Sequence, residues 1–203
     1  MSKNNFHEIM SQIEGKWKIF ILNRLAVDGT QRYKELKQLM PEASDQLLTN
    51  KLKELEKDNL IYREIFQMVP PKVEYSLTEK GLNLNHIIYL LDNWAKKDPN
   101  QITFKNKYLQ CEVGFALNFI SGKWKLFLLG QLIETKRFME LKSILPEITK
   151  KMLTNQLREL EVDGLVHREV YPVIPPKVEY SLTEKGKELI PILDLLKEWN
   201  NEA

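Results

Sequence analysis

Two segments of the sequence combine cationic and amide side chains in a pattern suited to binding nucleic acid. Residues 149–158 carry three positive charges and no negative charge, whereas residues 44–53 carry two lysines and Asp45. Lys, Arg, Asn and Gln side chains neutralise phosphates or form hydrogen bonds with base edges. An acidic residue at a helix start favours the helix dipole but repels phosphate. We therefore expect residues 149–158 to bind DNA more strongly, or the two segments to read different half-sites.

Nine polar side chains in these segments are candidates for base contacts: Gln46, Thr49, Asn50, Lys53, Lys150, Lys151, Thr154, Asn155 and Arg158. Five further cations are candidates for phosphate contacts: Arg32, Lys72, Arg137, Arg168 and Lys177. A solvated polar helix face is the alternative for the first set. Arg63 and Arg168 can equally pair with neighbouring glutamates, such as Glu64 and Glu74 in the first half of the chain.

Both segments recur because the chain contains one domain twice. Residues 69–81 reappear almost unchanged at 174–186, an offset of 105 residues. Ahead of Leu25 the offset is 107, because the Gly-Lys-Trp-Lys sequence of the first copy recurs that much later. Insertions fall in exposed turns, so we expect the two extra residues of the first copy in the turn between Leu25 and Arg32.

Hydrophobic periodicity predicts the same elements in each copy. In the first copy these are helices at 16–27, 33–40, 44–58 and 78–96 and strands at 60–66 and 73–77. In the second copy they are helices at 124–132, 138–145, 149–163 and 183–199 and a hairpin at 165–182. Leu36 and Leu39 are expected to face the core. Three helices, a hairpin and a last helix form a winged helix-turn-helix, so the predicted fold class is mainly α with small β-hairpins (α+β).

Capping residues support these boundaries. Ser44 and Thr149 suit the start of the third helix in their copies, and Asn59 and Gly164 suit the left-handed residue after it. Thr78 is expected to cap the last helix of the first copy. The predicted division is a winged-helix domain at 1-96, a partly helical linker at 97-110 and a second winged-helix domain at 111-203.

Composition narrows the class of protein. At 203 residues and 43% hydrophobic, the chain can form two cores of roughly 90 residues each. Its net charge of +2 argues neither for nor against an anionic partner. With no apolar run long enough to span a bilayer and no secretory signal, we expect a soluble cytoplasmic protein that does not bind membranes. A single cysteine, Cys111, excludes an internal disulfide framework.

Catalytic and metal-binding signatures are missing from the sequence. There is no glycine-rich phosphate loop, no G-x-S-x-G elbow and no second cysteine, so we do not expect an enzyme. The three histidines are scattered and lack metal-ligand spacing, and no metal or cofactor is expected. Trp17, Trp94, Trp124 and Trp199 lie among leucines at helical spacing, which favours packing in a core or interface over stacking on bases.

Each copy resembles the HxlR family of bacterial winged-helix transcription regulators, which is related in fold to the MarR type. The resemblance rests on Gly-Lys-Trp, Arg-Tyr-x-Glu-Leu, Leu-x-x-Leu-Glu and Pro-Pro-Lys-Val-Glu-Tyr-Ser-Leu-Thr-Glu-Lys-Gly in this order in the first copy. It implies DNA-binding dimers in which the third helix enters the major groove, the hairpin wing touches the backbone and terminal helices form the interface. Many members carry a cysteine ahead of the first long helix that senses electrophiles, aldehydes or oxidants. Cys111 stands there in the second copy, whereas the first copy has Asn4.

The sequence thus predicts a DNA-binding transcriptional regulator that acts as a single-chain pseudo-dimer. Helices 44-58 and 149-163 are the expected recognition helices, and the operator is expected to be an imperfect palindrome in double-stranded DNA. A small-molecule inducer and further self-association are compatible with this arrangement. The alternative is a protein-interaction or ligand-sensing module in which one or both winged domains have lost DNA binding.

Overall fold

The structure is a computed structural model that describes residues 16–69, 71–97, 124–174 and 176–201. Cys111 and nearly all of the predicted linker 97-110 lie outside these ranges. The outer ends of the domains predicted at 1-96 and 111-203 also lie outside them. Two sets of elements, alike in type and order, occupy the described ranges.

The first copy forms a three-stranded sheet supported by four helices. Its elements are α1 (Lys16–Asp28), β1 (Gln31–Arg32), α2 (Tyr33–Leu39), α3 (Asp45–Lys57), β2 (Ile61–Phe66), β3 (Lys72–Leu77) and α4 (Glu79–Lys96). All strands are antiparallel and the sheet order is β1-β3-β2. The β2–β3 hairpin is the wing, and α2 followed by α3 is the helix-turn-helix.

The second copy repeats this arrangement. Its elements are α5 (Lys125–Gln131), β4 (Lys136–Arg137), α6 (Phe138–Ile144), α7 (Lys150–Val162), β5 (Val166–Tyr171), β6 (Lys177–Leu182), α8 (Glu184–Lys187) and α9 (Ile190–Asn201). The sheet order is β4-β6-β5, again antiparallel. The predicted fold class, mainly α with small hairpins in two tandem winged helix-turn-helix units, is confirmed. None of the helices in the described ranges is long and apolar enough to cross a membrane.

Each core is built around the first helix and the buried stripe of the third. Ile21 and Leu22 of α1 are fully buried, and Leu48, Leu52 and Leu55 of α3 pack against the same core. Burying such side chains stabilises the fold by about 1.5–3 kcal/mol each. The polar residues of α3 are thereby directed outward.

One predicted core residue in α2 is wrong. Leu36 is fully buried as expected, but Leu39 is 41% exposed and Met40 is buried in its place. The helix ends at Leu39, and Met40 has the non-helical angles φ −126° and ψ 58°. Helical periodicity places both Leu39 and Met40 on the side of Leu36, three and four residues further on, so the packing of the folded chain decides which of the two is buried.

The two extra residues of the first copy lie between Leu25 and Arg32, as predicted, in a segment where the two copies differ in helix length. Lys18 and Lys125, which are 107 positions apart, occupy equivalent buried sites, so the offset itself is correct. Helix α1 continues to Asp28, whereas α5 ends at Gln131, the equivalent of Arg24. Helix α1 extends four residues beyond the equivalent of Gln131, and its connection to the next strand is two residues shorter, which gives the net difference of two. The end of the longer helix is solvated, with Val27 66% exposed.

The last helix of the second copy is broken, whereas a single helix at 183–199 was predicted. Helix α8 ends at Lys187 and α9 begins at Ile190. Pro191 has no N–H to donate to the Lys187 carbonyl, and its ring clashes with that turn. The first copy has His86 at the equivalent position, and α4 is continuous there.

The predicted caps of the third helices are confirmed. Ser44 Oγ accepts a hydrogen bond from the Leu47 amide, and Thr149 Oγ1 accepts one from Met152, both at 3.1 Å. Asn59 and Gly164 follow these helices with φ of 56° and 69°. Each N-cap contributes about 1 kcal/mol.

The repeated Leu-Thr-Glu-Lys-Gly sequence joins the end of α3 to the start of α4. The Thr78 hydroxyl donates to the Asn59 carbonyl at 2.7 Å and accepts from the Gly81 amide at 3.0 Å, capping α4 as predicted. The Thr78 amide also donates to the Leu60 carbonyl. Thr183 makes the same hydroxyl contacts in the second copy. This junction requires glycine at residue 81, because a Cβ there would lie 2.0 Å from the Leu60 carbonyl oxygen.

Helices α4 and α9 pack against each other and join the two copies. Trp94 of α4 and Trp199 of α9 are buried, at 7% and 4% exposure. The Trp199 indole N–H donates to the carbonyl of Lys80, across the contact between copies, at 2.9 Å. The prediction that the tryptophans pack in a core or interface is confirmed for these two residues.

Substituting the junction glycine tests its packing role. We expect Gly81→Ala to lower the free energy of unfolding by roughly 3 kcal/mol, because the methyl group displaces the Leu60 backbone. Gly130→Ala is the matched control: a Cβ there meets nothing within 4 Å, and the residue lies inside α5. That control should raise stability by roughly 0.5–1 kcal/mol. Urea unfolding measures both, and equal effects of the two substitutions would contradict the packing argument.

Candidate nucleic-acid interface

The candidate base contacts lie on the side of α3 and α7 away from the core. In α3, Gln46, Asn50 and Lys53 are exposed and Thr49 is half-buried. In α7, Lys150, Lys151, Asn155 and Arg158 are exposed and Thr154 is half-buried. The buried leucines of each helix hold this face outward, so a side chain on it can reach a groove without unpacking the core.

Local hydrogen bonds orient several of these side chains. The Gln46 amide donates to the side-chain oxygen of Asn50 at 2.9 Å, one helical turn away. In α7 the equivalent positions hold Lys151 and Asn155, so a cation replaces the amide donor. The Thr154 hydroxyl donates to the Lys150 carbonyl at 2.8 Å and is therefore occupied within its own helix.

The N-terminal turn of the third helix is where the two copies differ most in charge. Asp45 opens α3, where its carboxylate accepts a hydrogen bond from the Tyr33 hydroxyl at 3.0 Å and lies 3.7 Å from the Lys37 ammonium. Burial, aided by the hydrogen bond to Asp45, raises the pKa of Tyr33 above 10. The tyrosine therefore stays protonated at physiological pH and keeps donating to Asp45.

In the second copy this acidic cluster is absent. Lys150 stands in place of Asp45, and Phe138, which has no hydroxyl, stands in place of Tyr33. The Lys142 ammonium turns instead to the carbonyls of Leu145 and Pro146. The start of α7 is therefore positive and the start of α3 is close to neutral, and a phosphate approaching the two helices meets different potentials.

The candidate phosphate contacts of the wings are held by glutamates. The Lys72 ammonium lies 2.6 Å from Glu74, and the Arg32 guanidinium lies 3.7 Å from the same carboxylate. Lys177, Arg137 and Glu179 repeat the cluster at 2.7 and 3.6 Å. Hydrogen bonding from Lys177 keeps the pKa of Glu179 below its usual 4.5, so this carboxylate is charged at neutral pH. Each cluster retains one net positive charge.

The lysines are placed at the start of the returning strands and not at the tips of the wings. Lys72 and Lys177 also lie over the rings of Phe66 and Tyr171, at 4.6 and 4.5 Å from the ring centroids. The exposed tips carry apolar residues, with Val69 99% exposed and Ile174 fully exposed. Phosphate contact by the lysines therefore requires the DNA backbone to approach the face of the sheet.

Arg63 and Arg168 are the cations of the wings that remain available. Both are exposed, and in the described part of the chain neither forms an ion pair with a carboxylate. Their strand partners are Tyr75 and Tyr180, whereas Glu64 and Glu169 lie opposite the glutamates of the neighbouring strands. In the described residues, these arginines therefore do not pair with the adjacent glutamates, which was the alternative.

Sequence reasoning missed a buried lysine that fixes each third helix. The Lys18 ammonium, on the core side of α1, lies 3.2 Å from Glu54 and 3.4 Å from Asp58 at the end of α3. Lys125 makes the same two contacts with Glu159 and Asp163, at 3.0 and 3.4 Å. The available signal was a lysine repeated in both copies inside an otherwise apolar helix.

A second lysine reaches the same helix end from the last helix of its copy. The Lys80 ammonium donates to the Asp58 carbonyl at 3.3 Å, and Lys185 donates to Asp163 at 2.9 Å. A cation at the C-terminus of a helix interacts favourably with the helix dipole. Two lysines therefore hold the end of each third helix, one from within the core and one from the contact between copies.

No group of three or more His, Cys, Asp or Glu side chains suited to a metal ion occurs within the described ranges. Cys111, the candidate sensor, lies outside them. The surface with a defined chemical character is therefore the polar face of α3 and α7 with the adjacent wings. A helix-turn-helix that presents amides and cations on its second helix, flanked by a hairpin, is the architecture of a winged-helix DNA-binding protein.

Comparison with known proteins agrees with this class. The model of the HxlR-like helix-turn-helix family matches residues 12–103 and 119–203, so the chain belongs to that family. An HTH-type transcriptional regulator of Methanothermobacter thermautotrophicus is 57% identical over 95 residues, covering 46% of this chain and 72% of the relative. The regulator YybR of Bacillus subtilis is 59% identical over 90 residues, covering 44% and 72%. The protein is a DNA-binding transcriptional regulator.

A solved structure of the redox regulator HypR in its oxidized form is 56% identical in sequence to the aligned part of the chain. The aligned region covers 46% of this chain and 97% of the HypR chain, with a TM-score of 0.44.

Exchanging the first residue of the two third helices tests the charge difference. We expect Asp45→Lys to raise the affinity for DNA and to steepen its salt dependence, because a repulsive charge is replaced by one that contacts phosphate. Each added contact changes the slope of log K against log salt by about 0.9. Lys150→Asp should have the opposite effect. Fluorescence anisotropy at several salt concentrations measures both.

Glu184→Lys is the control for this exchange, since it makes the same change in net charge at an exposed site on α8. An equal gain from Glu184→Lys and Asp45→Lys would show that only total charge matters, and not the start of α3.

Acid should weaken the attachment of α3 to α1. The hydrogen bond from Lys51, followed by contact with Lys18, holds the pKa of Glu54 below its usual 4.5. The carboxylate therefore stabilises the fold above its unfolded pKa, and this contribution is lost as pH falls through the lower folded pKa. We expect Lys51→Met to make the free energy of unfolding less dependent on pH below about 4.5. Urea unfolding as a function of pH measures this, with Lys34→Met as the control, and an unchanged profile would contradict it.

Proposed function

We propose that this regulator binds one operator as a single-chain pseudo-dimer. Helices α3 and α7 enter the major groove at two half-sites, and the wings lie along the DNA backbone. A symmetric pair of helix-turn-helix units reads half-sites about 34 Å apart, one helical turn of DNA. In this proposal one chain supplies both units without a partner subunit.

The observation that carries the proposal is the reciprocal contact of α4 with α8 and α9. Lys80 of the first copy lies over the ring of Trp199, and Lys185 of the second copy lies over the ring of Trp94. Each member of one pair is 105 positions from its counterpart in the other. A contact that repeats itself in both directions is the signature of a two-fold interface. This contact supports an arrangement in which the two copies relate to each other as the subunits of a dimer do.

The half-sites need not be identical. The first copy would read its half-site with Gln46, Thr49, Asn50 and Lys53, and the second with Lys150, Lys151, Thr154, Asn155 and Arg158. Because α7 begins with a cation and α3 with an engaged carboxylate, the second copy supplies more of the binding free energy. An operator that is an imperfect palindrome fits this pair.

The remaining elements of the proposal concern regulation and location. From its DNA target we infer that the protein is cytoplasmic. A small-molecule inducer, sensing of electrophiles or oxidants by Cys111, and assembly of two chains into a four-domain complex all stay predictions. Arg32, Arg137, Lys72, Lys177 and Arg168 are proposed as backbone contacts.

The rival function is that of a protein-interaction or ligand-sensing module, and one feature of the first copy favours it. Asp45 is fixed at the start of α3 by Tyr33 and Lys37, where a phosphate would have to approach. A salt series distinguishes the two functions, because binding through phosphates weakens steeply as salt rises. Flat salt dependence, or no retention of genomic fragments, would favour the interaction module.

Truncating two residues of α7 tests the proposed recognition face. We expect Asn155→Ala and Arg158→Ala each to lower the affinity for a selected operator by about 1–3 kcal/mol, because each removes a contact with a base edge. Lys57→Val is the matched control, since it installs at the C-terminal end of α3 the residue that α7 carries there. Operator affinity is measured by anisotropy on fragments selected from the source genome.

The same titration reports stoichiometry. One chain per operator is expected, with light scattering showing a monomeric chain in solution. Wild-type affinity in both alanine variants would show that this face does not contact bases. Two chains per operator would overturn the single-chain arrangement.

A further inference from the structure

A single side chain in each copy connects the end of a third helix to the other copy. The Lys80 ammonium donates at 3.3 Å to the carbonyl of Asp58, the residue that caps the C-terminal end of α3. The same ammonium lies 5.2 Å from the ring centroid of Trp199, which belongs to α9. The Lys80 backbone carbonyl accepts the Trp199 indole N–H at 2.9 Å. Trp199 thus contacts Lys80 twice, with its ring against the ammonium and its N–H on the backbone carbonyl.

The second copy repeats the connection. The Lys185 ammonium donates to the Asp163 carbonyl at the end of α7, at 2.9 Å. It lies 5.8 Å from the ring centroid of Trp94, which belongs to α4. A single lysine side chain therefore links the end of each third helix to a buried tryptophan of the opposite copy.

These contacts restrain a specific motion. Within each copy, Lys18 or Lys125 fixes the third helix to its own core through carboxylate side chains. Those contacts do not determine where the two third helices lie relative to each other. A shift of α3 against α9 would separate the Lys80 ammonium from either the Asp58 carbonyl or the Trp199 ring. A cation on an aromatic face is attracted by the ring, so the shift has a cost.

We propose that Lys80 and Lys185 set the separation and angle of the two third helices, and thereby determine which half-site spacing the protein selects. Both are positioning residues, which act through the helix ends and need not touch DNA. The inference rests on the proposed single-chain pseudo-dimer. It assigns spacing selectivity to the lysines and leaves the reading of bases to the polar faces of α3 and α7.

The test measures the affinity of the full chain for duplexes that differ only in half-site spacing. Two half-sites taken from a selected operator are placed at centre-to-centre spacings on either side of the expected 10–10.5 base pairs, and a duplex with one half-site is included. We expect the wild type to bind one spacing at least about tenfold more tightly than spacings one base pair away, which is about 1.4 kcal/mol.

Lys80→Met and Lys185→Met keep the aliphatic stem and remove the charge. We expect each to reduce the preference between adjacent spacings severalfold and the double variant to abolish it, with affinity for the single half-site unchanged. Lys80→Arg and Lys185→Arg should keep the wild-type preference, because a guanidinium can donate to the carbonyl and stack on the ring. A purely structural role predicts instead that both duplex types lose affinity together. Lys187→Met, a surface lysine paired with Glu184, is the control and should behave as wild type.

Trp199→Phe tests the connection if a lysine variant does not fold. It keeps the ring and removes the donor to the Lys80 carbonyl, and it should broaden the spacing preference. An unaltered sharp optimum in the folded methionine variants or in Trp199→Phe would overturn the inference. A wild type with no preferred spacing, or no gain from a second half-site, would instead refute the single-chain pseudo-dimer.

Discussion

The end of each third helix is the point on which the rest of the structure depends. At the end of α3, Lys18 of α1 binds two carboxylates, and Lys80 and Thr78 bind the last carbonyls. These groups come from the core, the wing junction and the contact between copies. The last carbonyls of a helix have no partner within the helix and need other donors. Here Thr78 and Lys80 supply them. The buried leucines of α3 direct its polar face outward, and these contacts fix the C-terminal end of the helix.

The duplication explains both the symmetry of the chain and its departures from symmetry. The two copies share the buried lysine that pairs with the end of the third helix, the threonine cap and the junction glycine, since each serves the packing of its own copy. They differ at the surface, where Asp45 is matched by Lys150, and at the last helix, where Pro191 breaks one copy only. In the proposed single-chain pseudo-dimer the two halves are free to diverge in this way, because each half pairs with the other and not with a second copy of itself. Two identical subunits cannot differ from each other in this way.

Electrostatics in this protein are local. A net charge of +2 hides a positive start to α7, a balanced start to α3 and wing clusters in which one glutamate holds two cations. Each cluster keeps a net positive charge because two cations share one carboxylate, which also holds their side chains in place. Among the candidate contacts in the described residues, the cations of α7, Lys53 of α3 and the arginines in the middle of the wings can meet DNA without first leaving a carboxylate. Charge placement, and not charge total, distinguishes the two halves.

The sequence by itself determined the order of the elements, the caps at Ser44 and Asn59, and the polar face of each third helix. Those features depend on residues near each other in the chain, whose spacing and capping chemistry can be read directly. Tertiary structure decided the burial of Met40, the engagement of Lys72 by Glu74, and the contacts of Lys18 and Lys80. Each of these depends on which distant groups lie within reach after folding. Whether a cation is available to a ligand is therefore a property of the fold, even when the presence of the cation is plain in the sequence.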